Sequence, residues 1–265
     1  MPRRELKGLR VVVTGASGGI GESLAVELSR RGARLIVTAR RDDRLRDLVE
    51  RLRATGSEAE SVVGDVSNDD HRRAMMDRAQ SAFGGLDVLV NNAGIGAFGR
   101  FDEADPARLR KLMDVDFFAA VELTRLALPL LRQGRTPAIV NIGSILGYRS
   151  IPFAAEYCAA KFAVRGFSES LRTELSRDGI GVLLVSPGTT DTGFFENVVE
   201  MRAKLPWRKE NARQGATPES VALAAIAGLE RGASEVVPGV GPKLMVLANR
   251  LVPGVVDWWM RRYVR

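Results

Sequence analysis

Residues 10–21 read RVVVTGASGGIG, an apolar run that ends in a glycine-rich loop. The run is rich in β-branched residues, which favours a strand, and the amphipathic stretch after the loop favours a helix. Here Gly15 permits a tight turn, Gly19 lets the backbone approach a pyrophosphate, and Gly21 allows close packing of helix on strand. Free N–H groups at the start of the helix favour an anion there. The stretch therefore predicts a strand–turn–helix unit that binds a dinucleotide; an ordinary strand-to-helix turn is the alternative.

Short apolar runs alternate with amphipathic stretches along the chain. The runs show almost no polar alternation, which is typical of parallel strands buried on both faces. We predict strands at 9–14, 34–39, 59–64, 86–91, 138–143 and 181–186, with a shorter one at 235–237. This alternation predicts an α/β fold: a single-domain Rossmann-type doubly wound parallel sheet of about seven strands, with helices on both faces and its ligand at the carboxyl ends of the strands.

Composition limits the class of protein. The chain has 265 residues, 45% hydrophobic and 27% charged, which suits one α/β domain with a sizeable core. Its single cysteine, Cys158, excludes an internal disulfide and favours a reducing compartment, so we expect a cytoplasmic protein without a metal site. The net charge of +7 comes from scattered arginines with no recognition motif, so no nucleic-acid binding is expected. The one histidine, His71, is interpreted as the beginning of an exposed helix, and no catalytic role is expected of it.

A second constellation joins Ser144, Tyr157 and Lys161. Tyr157 and Lys161 are four residues apart in an alanine-rich helical stretch, so both side chains lie on one face. A phenol has a reference pKa of about 10, and a nearby cation stabilises the phenolate and lowers that pKa. Ser144 ends the fifth strand, where its hydroxyl can donate to a substrate oxygen, although a serine there is more often a turn residue. The three residues indicate general acid–base chemistry.

Four ordered motifs resemble the short-chain dehydrogenase/reductase family over roughly residues 7–240. The glycine loop matches the family's TGxxxGxG pattern, and Asn91-Asn92-Ala93-Gly94 matches its NNAG pattern. Ser144 with Tyr157-x-x-x-Lys161 matches the family's active site. Pro187-Gly188, with Thr192 shortly after, matches the segment that holds the carboxamide side of the nicotinamide.

The resemblance implies an oxidoreductase that moves hydride between nicotinamide and a carbonyl or secondary alcohol. It implies that Tyr157 is the general acid–base, that Ser144 polarises the substrate oxygen, and that Lys161 lowers the pKa of Tyr157 and holds the ribose. The cofactor-binding residues that it implies, beside Tyr157 and Lys161, are Gly15, Ser17, Gly19, Ile20, Gly21, Arg40, Asp65, Val66, Asn91, Ala93, Gly94, Pro187, Gly188, Thr190 and Thr192. A catalytically inactive cofactor-binding regulatory protein on the same fold is the alternative.

Arg40 and Arg41 follow the second predicted strand, where an NAD-selective relative would usually have an acidic residue. An arginine there can pair with a 2′-phosphate, so NADP(H) is the predicted cofactor. Gly18 fills the place of the family's other common basic residue, so selectivity would depend mainly on Arg40. The alternative is a pair of surface arginines.

Asp116, which we count with the catalytic residues, departs from the family pattern of asparagine in the long helix before the fifth strand. In relatives that asparagine holds a water that links the lysine to solvent. Three arrangements are open: Asp116 keeps the local backbone shape and leaves the water on its main-chain carbonyl, it pairs with Lys161, or it points away. We favour the first, and expect on that basis that Asp116→Asn leaves the pH dependence of turnover nearly unchanged.

The end of the chain, 243–265, is unlike the family core and is interpreted as an amphipathic extension of a catalytic domain at 1–242. Its apolar face and the sequence Trp258-Trp259-Met260-Arg261-Arg262 suit a bilayer interface. Packing on the domain or at a dimer interface is the favoured interpretation, and peripheral membrane contact is the alternative.

Two further expectations concern partners. The family usually pairs through two long helices, here about 106–131 and 153–177, which predicts a homodimer or homotetramer. An apolar segment after Pro187-Gly188 indicates a lid over a lipophilic small-molecule carbonyl or alcohol, or equally a segment packed on the domain. Its residues are Phe194, Phe195, Val198, Val199, Met201, Leu205 and Trp207.

Overall fold

A computed structural model of the chain describes residues 4–194, 198–201 and 215–263. The strands in these residues are β1 (Arg10–Thr14), β2 (Arg34–Ala39), β3 (Ala59–Val63), β4 (Val88–Asn91), β5 (Gly96–Phe98), β6 (Ala138–Ile142), β7 (Gly181–Val185), β8 (Val198–Met201) and β9 (Glu235–Val236). The helices are α1 (Gly19–Arg30), α2 (Asp42–Ala54), α3 (Asp69–Phe83), α4 (Pro106–Met113), α5 (Ala119–Leu131), α6 (Ala155–Glu174), α7 (Pro218–Arg231), α8 (Val240–Leu251) and α9 (Pro253–Met260).

Seven of these strands form one parallel sheet in the order β3-β2-β1-β4-β6-β7-β9. They are the seven strands predicted from the sequence, with bounds that differ by at most two residues. The chain order reverses between β1 and β4, so the connections leave the sheet in opposite directions there and open a crevice at the carboxyl ends of the strands. The prediction of a Rossmann-type doubly wound sheet is confirmed.

Alternate residues of the strands enter two separate cores. Val11 and Val13 of β1 pack in the core beneath α1, α2 and α7, whereas Val12 packs with residues of α3, α5 and α6. Both faces of the sheet are therefore covered. This arrangement explains why the strands read as continuous apolar runs without polar alternation.

The long helix predicted at 106–131 is divided by a π-helical turn. α4 ends at Met113, the π turn covers Asp114–Phe118, and α5 begins at Ala119. A π turn holds an extra residue and rotates the side chains beside it, and such turns are frequent at functional sites. This turn contains Asp116, which is buried.

The C-terminal helices are attached to the sheet domain by polar contacts. The Asn249 Nδ2 donates a hydrogen bond of 3.0 Å to the Tyr148 carbonyl, and Arg149 pairs with Asp257. α8 begins at Val240, so the predicted boundary at 243 falls in its first turn. Among the described helices, none combines the length and the apolar character that crossing a bilayer requires.

Candidate active site

The crevice at the carboxyl ends of the strands is a cavity of about 540 Å³, a volume ordinary for a cofactor or small-molecule site. Most of the predicted site residues line it: Gly15, Ser17, Gly19, Ile20, Arg40, Asp65, Val66, Ala93, Gly94, Ser144, Tyr157, Lys161, Pro187, Gly188, Thr190 and Thr192. Gly21, Asn91 and Asp116 lie behind this lining. The structure therefore brings together residues from widely separated parts of the chain.

The glycine loop is held in place by Asn92. Its Nδ2 donates to the carbonyls of Thr14 and Gly15, at 2.8 and 3.2 Å, and the Thr14 hydroxyl accepts from the main-chain N–H groups of Asn92 and Ala93. A Cβ at Gly21 would clash with the Asn92 side chain, which explains the glycine there. Asn92 was not among the predicted site residues, and its place in the NNAG motif was the signal that could have indicated it.

The residues of the loop fit a dinucleotide. Gly15 and Gly19 have φ of +66° and +57°, and a Cβ at Gly19 would lie 3.0 Å from the Thr192 side chain. The loop and the segment that contains Thr192 therefore face each other closely. A side chain at position 19 would fill the space between them. α1 begins at Gly19 beside this gap, so its first N–H groups are placed for a phosphate.

The Asn91 side chain faces the core, so its predicted contact with the cofactor would have to come from its main chain. Its Nδ2 donates to the Thr124 hydroxyl at 3.1 Å and to the Asn141 Oδ1 at 2.9 Å, and the Asn141 Nδ2 donates to the Ser168 hydroxyl. All four residues are buried. Successive side chains of a strand point to opposite faces, so Asn91 and Asn92 cannot both face the cavity.

His71 lies in the first turn of α3, as predicted, but its side chain is buried and supports the wall that carries Asp65. Its imidazole is buried, with Nε2 2.8 Å from the Thr38 hydroxyl, and it packs where a Cβ at Gly64 would stand. The Asn68 side chain caps α3 by accepting from the His71 N–H, which turns the ring inward. Burial lowers the pKa of His71.

Ser144, Tyr157 and Lys161 meet at one end of the cavity. Ser144 begins a short turn after β6, where its Oγ accepts from the Leu146 N–H at 3.1 Å, and its hydroxyl is near enough to Tyr157 to act on the pKa of the phenol. Tyr157 and Lys161 stand one turn apart on α6, as their spacing predicts, and the Lys161 Nζ lies 5.5 Å from the centre of the Tyr157 ring. The phenol thus lies between a hydroxyl and a cation.

Asp116 pairs with Lys161, so the arrangement that we favoured from the sequence is wrong. Its Oδ2 lies 3.0 Å from the Lys161 Nζ, and its Oδ1 accepts from the Ile95 N–H at 2.8 Å. Asp116 and Lys161 are 3% and 5% exposed. An ammonium buried this deeply needs a counter-charge, and the π turn places the carboxylate where it supplies one. A Cβ at Gly94 would lie 3.3 Å from this carboxylate, so the glycine leaves room for the pair.

Tyr157, Lys161 and Asp116 change one another's pKa values. Burial raises the pKa of Tyr157, and the Asp116 charge raises it further, whereas Lys161 and Ser144 act to lower it. Burial acts to lower the pKa of Lys161, but the charges of Asp116 and Tyr157 outweigh it and the pKa lies above its ordinary value. Burial raises the pKa of Asp116 against the attraction of Lys161. At neutral pH these shifts leave Tyr157 a neutral phenol and Lys161 a charged ammonium, next to the Asp116 carboxyl group.

Part of the predicted apolar lid is described. The rings of Phe194 and Phe98 stand 5.7 and 5.8 Å from the Tyr157 ring, centre to centre, and Val198 packs with Phe98 and Cys158. These contacts surround the phenol with apolar groups. Phe195, Leu205 and Trp207 lie outside the described residues, so the lid as a whole stays a prediction.

The fold and the cavity define a class of nucleotide-binding oxidoreductase. The sequence matches the family model for short chain dehydrogenases over residues 10–203. The chain therefore belongs to the short-chain dehydrogenase/reductase family, whose members are NAD(P)-dependent oxidoreductases.

Named relatives and solved structures support this membership. The 11-beta-hydroxysteroid dehydrogenase A of Sesamum indicum is 36% identical over 97% of this chain and 76% of its own length. A short-chain dehydrogenase/reductase from Burkholderia phymatum, solved with NAD, has a TM-score of 0.84 and 26% identity over 97% of this chain and 96% of its own. An alcohol dehydrogenase from Thermococcus sibiricus, complexed with 5-hydroxy-NADP, has a TM-score of 0.78 and 25% identity over 87% of this chain and 96% of its own.

Proposed function

We propose that this oxidoreductase uses NADP(H) and acts on the carbonyl or secondary alcohol of a lipophilic small molecule through Ser144, Tyr157 and Lys161. The observation that carries the proposal is the meeting of these three side chains at one end of a cavity whose other walls are the glycine loop and the Arg40 region. The apolar surroundings of Tyr157 and the steroid in the name of the Sesamum indicum relative favour a lipophilic substrate.

Tyr157, Ser144 and Lys161 have separate roles in the proposed reaction. When bound, the nicotinamide supplies hydride for reduction and accepts it in oxidation. In reduction the Tyr157 hydroxyl donates its proton to the substrate oxygen, and the Ser144 hydroxyl donates a hydrogen bond to the same oxygen. The Lys161 ammonium stabilises the phenolate that remains on Tyr157. Oxidation reverses the proton transfer, with the phenolate as the base.

Cofactor binding is assigned to separate parts of the lining. Gly15, Gly19 and the first turn of α1 would hold the pyrophosphate. Asp65 and Val66 would meet the adenine, and Thr190 and Thr192 would hold the carboxamide of the nicotinamide. The experiment that tests the whole proposal is a screen of ketones, steroids and acyl carbonyls with NADPH, with products identified. Tight NADPH binding without turnover of any carbonyl would instead indicate a regulatory protein.

Arg40 supports the choice of NADP(H). It is exposed at the edge of the cavity, and in the described part of the chain its charge acts on the Asp65 carboxylate without a hydrogen bond that fixes the guanidinium. Arg41 is engaged differently, because its guanidinium donates to the Ser17 carbonyl and hydroxyl at 3.1 and 3.2 Å. Arg40 is thus the cation available to a 2′-phosphate, and Arg41 steadies the glycine loop.

The variant Arg40→Asp is expected to move the NADPH/NADH ratio of kcat/KM toward NADH by roughly tenfold or more, because it removes a charge-assisted hydrogen bond and adds a charge that repels the phosphate. Steady-state rates with both cofactors and one carbonyl from the screen measure the ratio. Arg44→Asp, an exposed change of the same charge on α2, is the control. An unchanged preference in Arg40→Asp would contradict the assignment.

We also propose that the chain forms a homodimer or homotetramer through the helices at about 106–131 and 153–177 and lies in the cytoplasm, with its C-terminal extension (243–265) packed on the catalytic domain (1–242). Phe118, just before α5, and Phe162 on α6 are exposed apolar residues that such a subunit interface would cover. Light scattering at micromolar protein should give a dimer or tetramer mass. A monomer alone would contradict the oligomer.

A further inference from the structure

α8 carries an exposed apolar stripe. Val240, Leu244, Leu247 and Leu251 follow one another at spacings of four, three and four residues, so they lie on one face of the helix. Their exposed fractions are 73%, 59%, 50% and 68%. We name these four residues the α8 stripe. Surface leucines are common singly, but a continuous row of them marks a surface that meets something apolar.

Contacts on the opposite face fix the direction in which the α8 stripe points. Met245 lines the cavity, Val246 packs against the core cluster that contains Tyr148, and Asn249 is hydrogen-bonded to the Tyr148 carbonyl. The helix cannot rotate to bury the α8 stripe without breaking these contacts. The stripe therefore faces outward because of how the helix is attached.

The exposed apolar surface continues onto α9. Val252, Val255, Trp258 and Trp259 are all exposed. Together with the α8 stripe they form what we name the C-terminal patch. Two tryptophans at the edge of such a surface are typical of proteins that lie at a bilayer interface, because the indole ring is apolar but carries an N–H group.

The rim of the C-terminal patch is cationic. Lys243 and Arg250 each precede a leucine of the α8 stripe by one position, and Arg261 and Arg262 follow α9. The Arg262 guanidinium lies 4.6 Å above the Trp258 ring. The acidic residue of this part of the chain, Asp257, is paired with Arg149 of the domain. An apolar surface with such a rim complements an apolar layer with an anionic face.

We propose that the C-terminal patch docks on the surface of an anionic bilayer, with the α8 stripe and the tryptophans in the interface and the rim cations on the lipid headgroups. A second copy of the chain fits less well. A two-fold symmetric contact places a surface against itself, so the rim cations would face one another with no acid to pair them.

The cavity opens beside the C-terminal patch. Met245, Trp259 and Met260 line the cavity, and Trp259 is also exposed on the patch. A lipophilic carbonyl or alcohol dissolved in the bilayer would enter between these side chains without crossing bulk water. This route for the substrate rests on the proposed function, whereas docking on the bilayer does not.

Flotation of the full-length protein with vesicles tests the docking. The vesicles are phosphatidylcholine alone or equal parts of phosphatidylcholine and phosphatidylglycerol. The wild-type protein is expected to float with the anionic vesicles and much less with the neutral ones, and raised salt is expected to weaken the binding. Fluorescence titration with NADPH without lipid, run on every variant, reports separately on fold and cofactor site.

Two double variants separate the apolar and the cationic parts. Leu244→Gln with Leu247→Gln, and Arg261→Gln with Arg262→Gln, are each expected to weaken vesicle binding by about tenfold or more. Leu223→Gln, at an exposed leucine on α7, and Arg44→Gln with Arg177→Gln, at exposed arginines elsewhere, are the matched controls and should bind like wild type.

Three results would overturn the proposal. Wild-type protein that stays at the bottom of the gradient with anionic vesicles has no such docking surface. If the patch variants and their matched controls lose vesicle binding to the same extent, the protein does not contact the vesicles through the C-terminal patch. If the leucine variant lowers the mass seen by light scattering and leaves flotation unchanged, the C-terminal patch is an interface between copies of the chain. NADPH binding by the same samples keeps each of these results distinct from failure of the proposed enzyme function.

Discussion

Replacement of Tyr157 by phenylalanine is expected to lower kcat/KM for carbonyl reduction by about 10³-fold, within the range that general acid–base catalysis contributes. The change removes one hydroxyl from a buried ring that contacts Phe98 and Phe194, and it leaves the glycine loop untouched. Affinity for NADPH, measured by fluorescence titration, should therefore stay within a few-fold of wild type. Loss of chemistry without loss of cofactor binding is the signature of a proton donor.

Tyr148→Phe is the matched control for Tyr157→Phe. The Tyr148 hydroxyl donates to the Glu235 carboxylate on the other side of β7, and burial together with that carboxylate raises its pKa to about 12. Tyr148 is not among the residues that line the cavity, so its hydroxyl is not placed to exchange a proton with the substrate and its removal should change kcat/KM little. Comparable losses in the two variants would show that Tyr157 acts through packing and would overturn its role as the acid.

The fold could be predicted because its signal is local and repeated. Buried parallel strands must be apolar on both faces, so each of the seven strands was visible in its own few residues. The spacing of Tyr157 and Lys161 is equally local, because residues one helical turn apart share a face whatever the rest of the chain does. Both predictions needed only the geometry of one element.

The pairing of Asp116 with Lys161 could not be predicted in the same way. The two residues are far apart in sequence, and they meet because a π turn rotates Asp116 out of the regular helical position. Nothing in the sequence DVDFF at 114–118 distinguishes a π turn from an ordinary helix. The C-terminal patch is a similar case, because the sequence shows the apolar face but only the contacts of Met245 and Asn249 show that it points outward.

The pairing changes what is expected of Asp116→Asn. With Asp116 ionised, the neutral phenol, the ammonium and the carboxylate sum to zero charge, so loss of a proton from Tyr157 or Lys161 leaves a buried negative charge. With asparagine at position 116 the net charge of the three side chains is +1, and loss of one proton from Tyr157 or Lys161 makes the group neutral. The first proton of the Tyr157–Lys161 pair should therefore leave at a pH lower by about one to three units, the range for a close buried charge.

The direction of the effect on catalysis follows from which form of Tyr157 each reaction needs. Reduction uses the protonated phenol, so its rate falls as pH rises through this pKa; oxidation uses the phenolate, so its rate rises there. In Asp116→Asn both limbs of the kcat/KM profiles should move to lower pH.

Direct titration of Tyr157 tests this prediction without knowledge of the substrate. The chain has three tyrosines, so labelling with carbon-13 at the ring carbon that carries the hydroxyl gives a spectrum simple enough to assign with Tyr157→Phe. The Tyr148 signal is an internal control, and Asp114→Asn, an exposed change in the same π turn, is the matched variant. Tyr157 should titrate at lower pH in Asp116→Asn and at the wild-type pH in Asp114→Asn. If Asp116→Asn leaves both the Tyr157 titration and the pH profile in place, the carboxylate does not govern the proton, and Asp116 serves only to shape the π turn around Lys161.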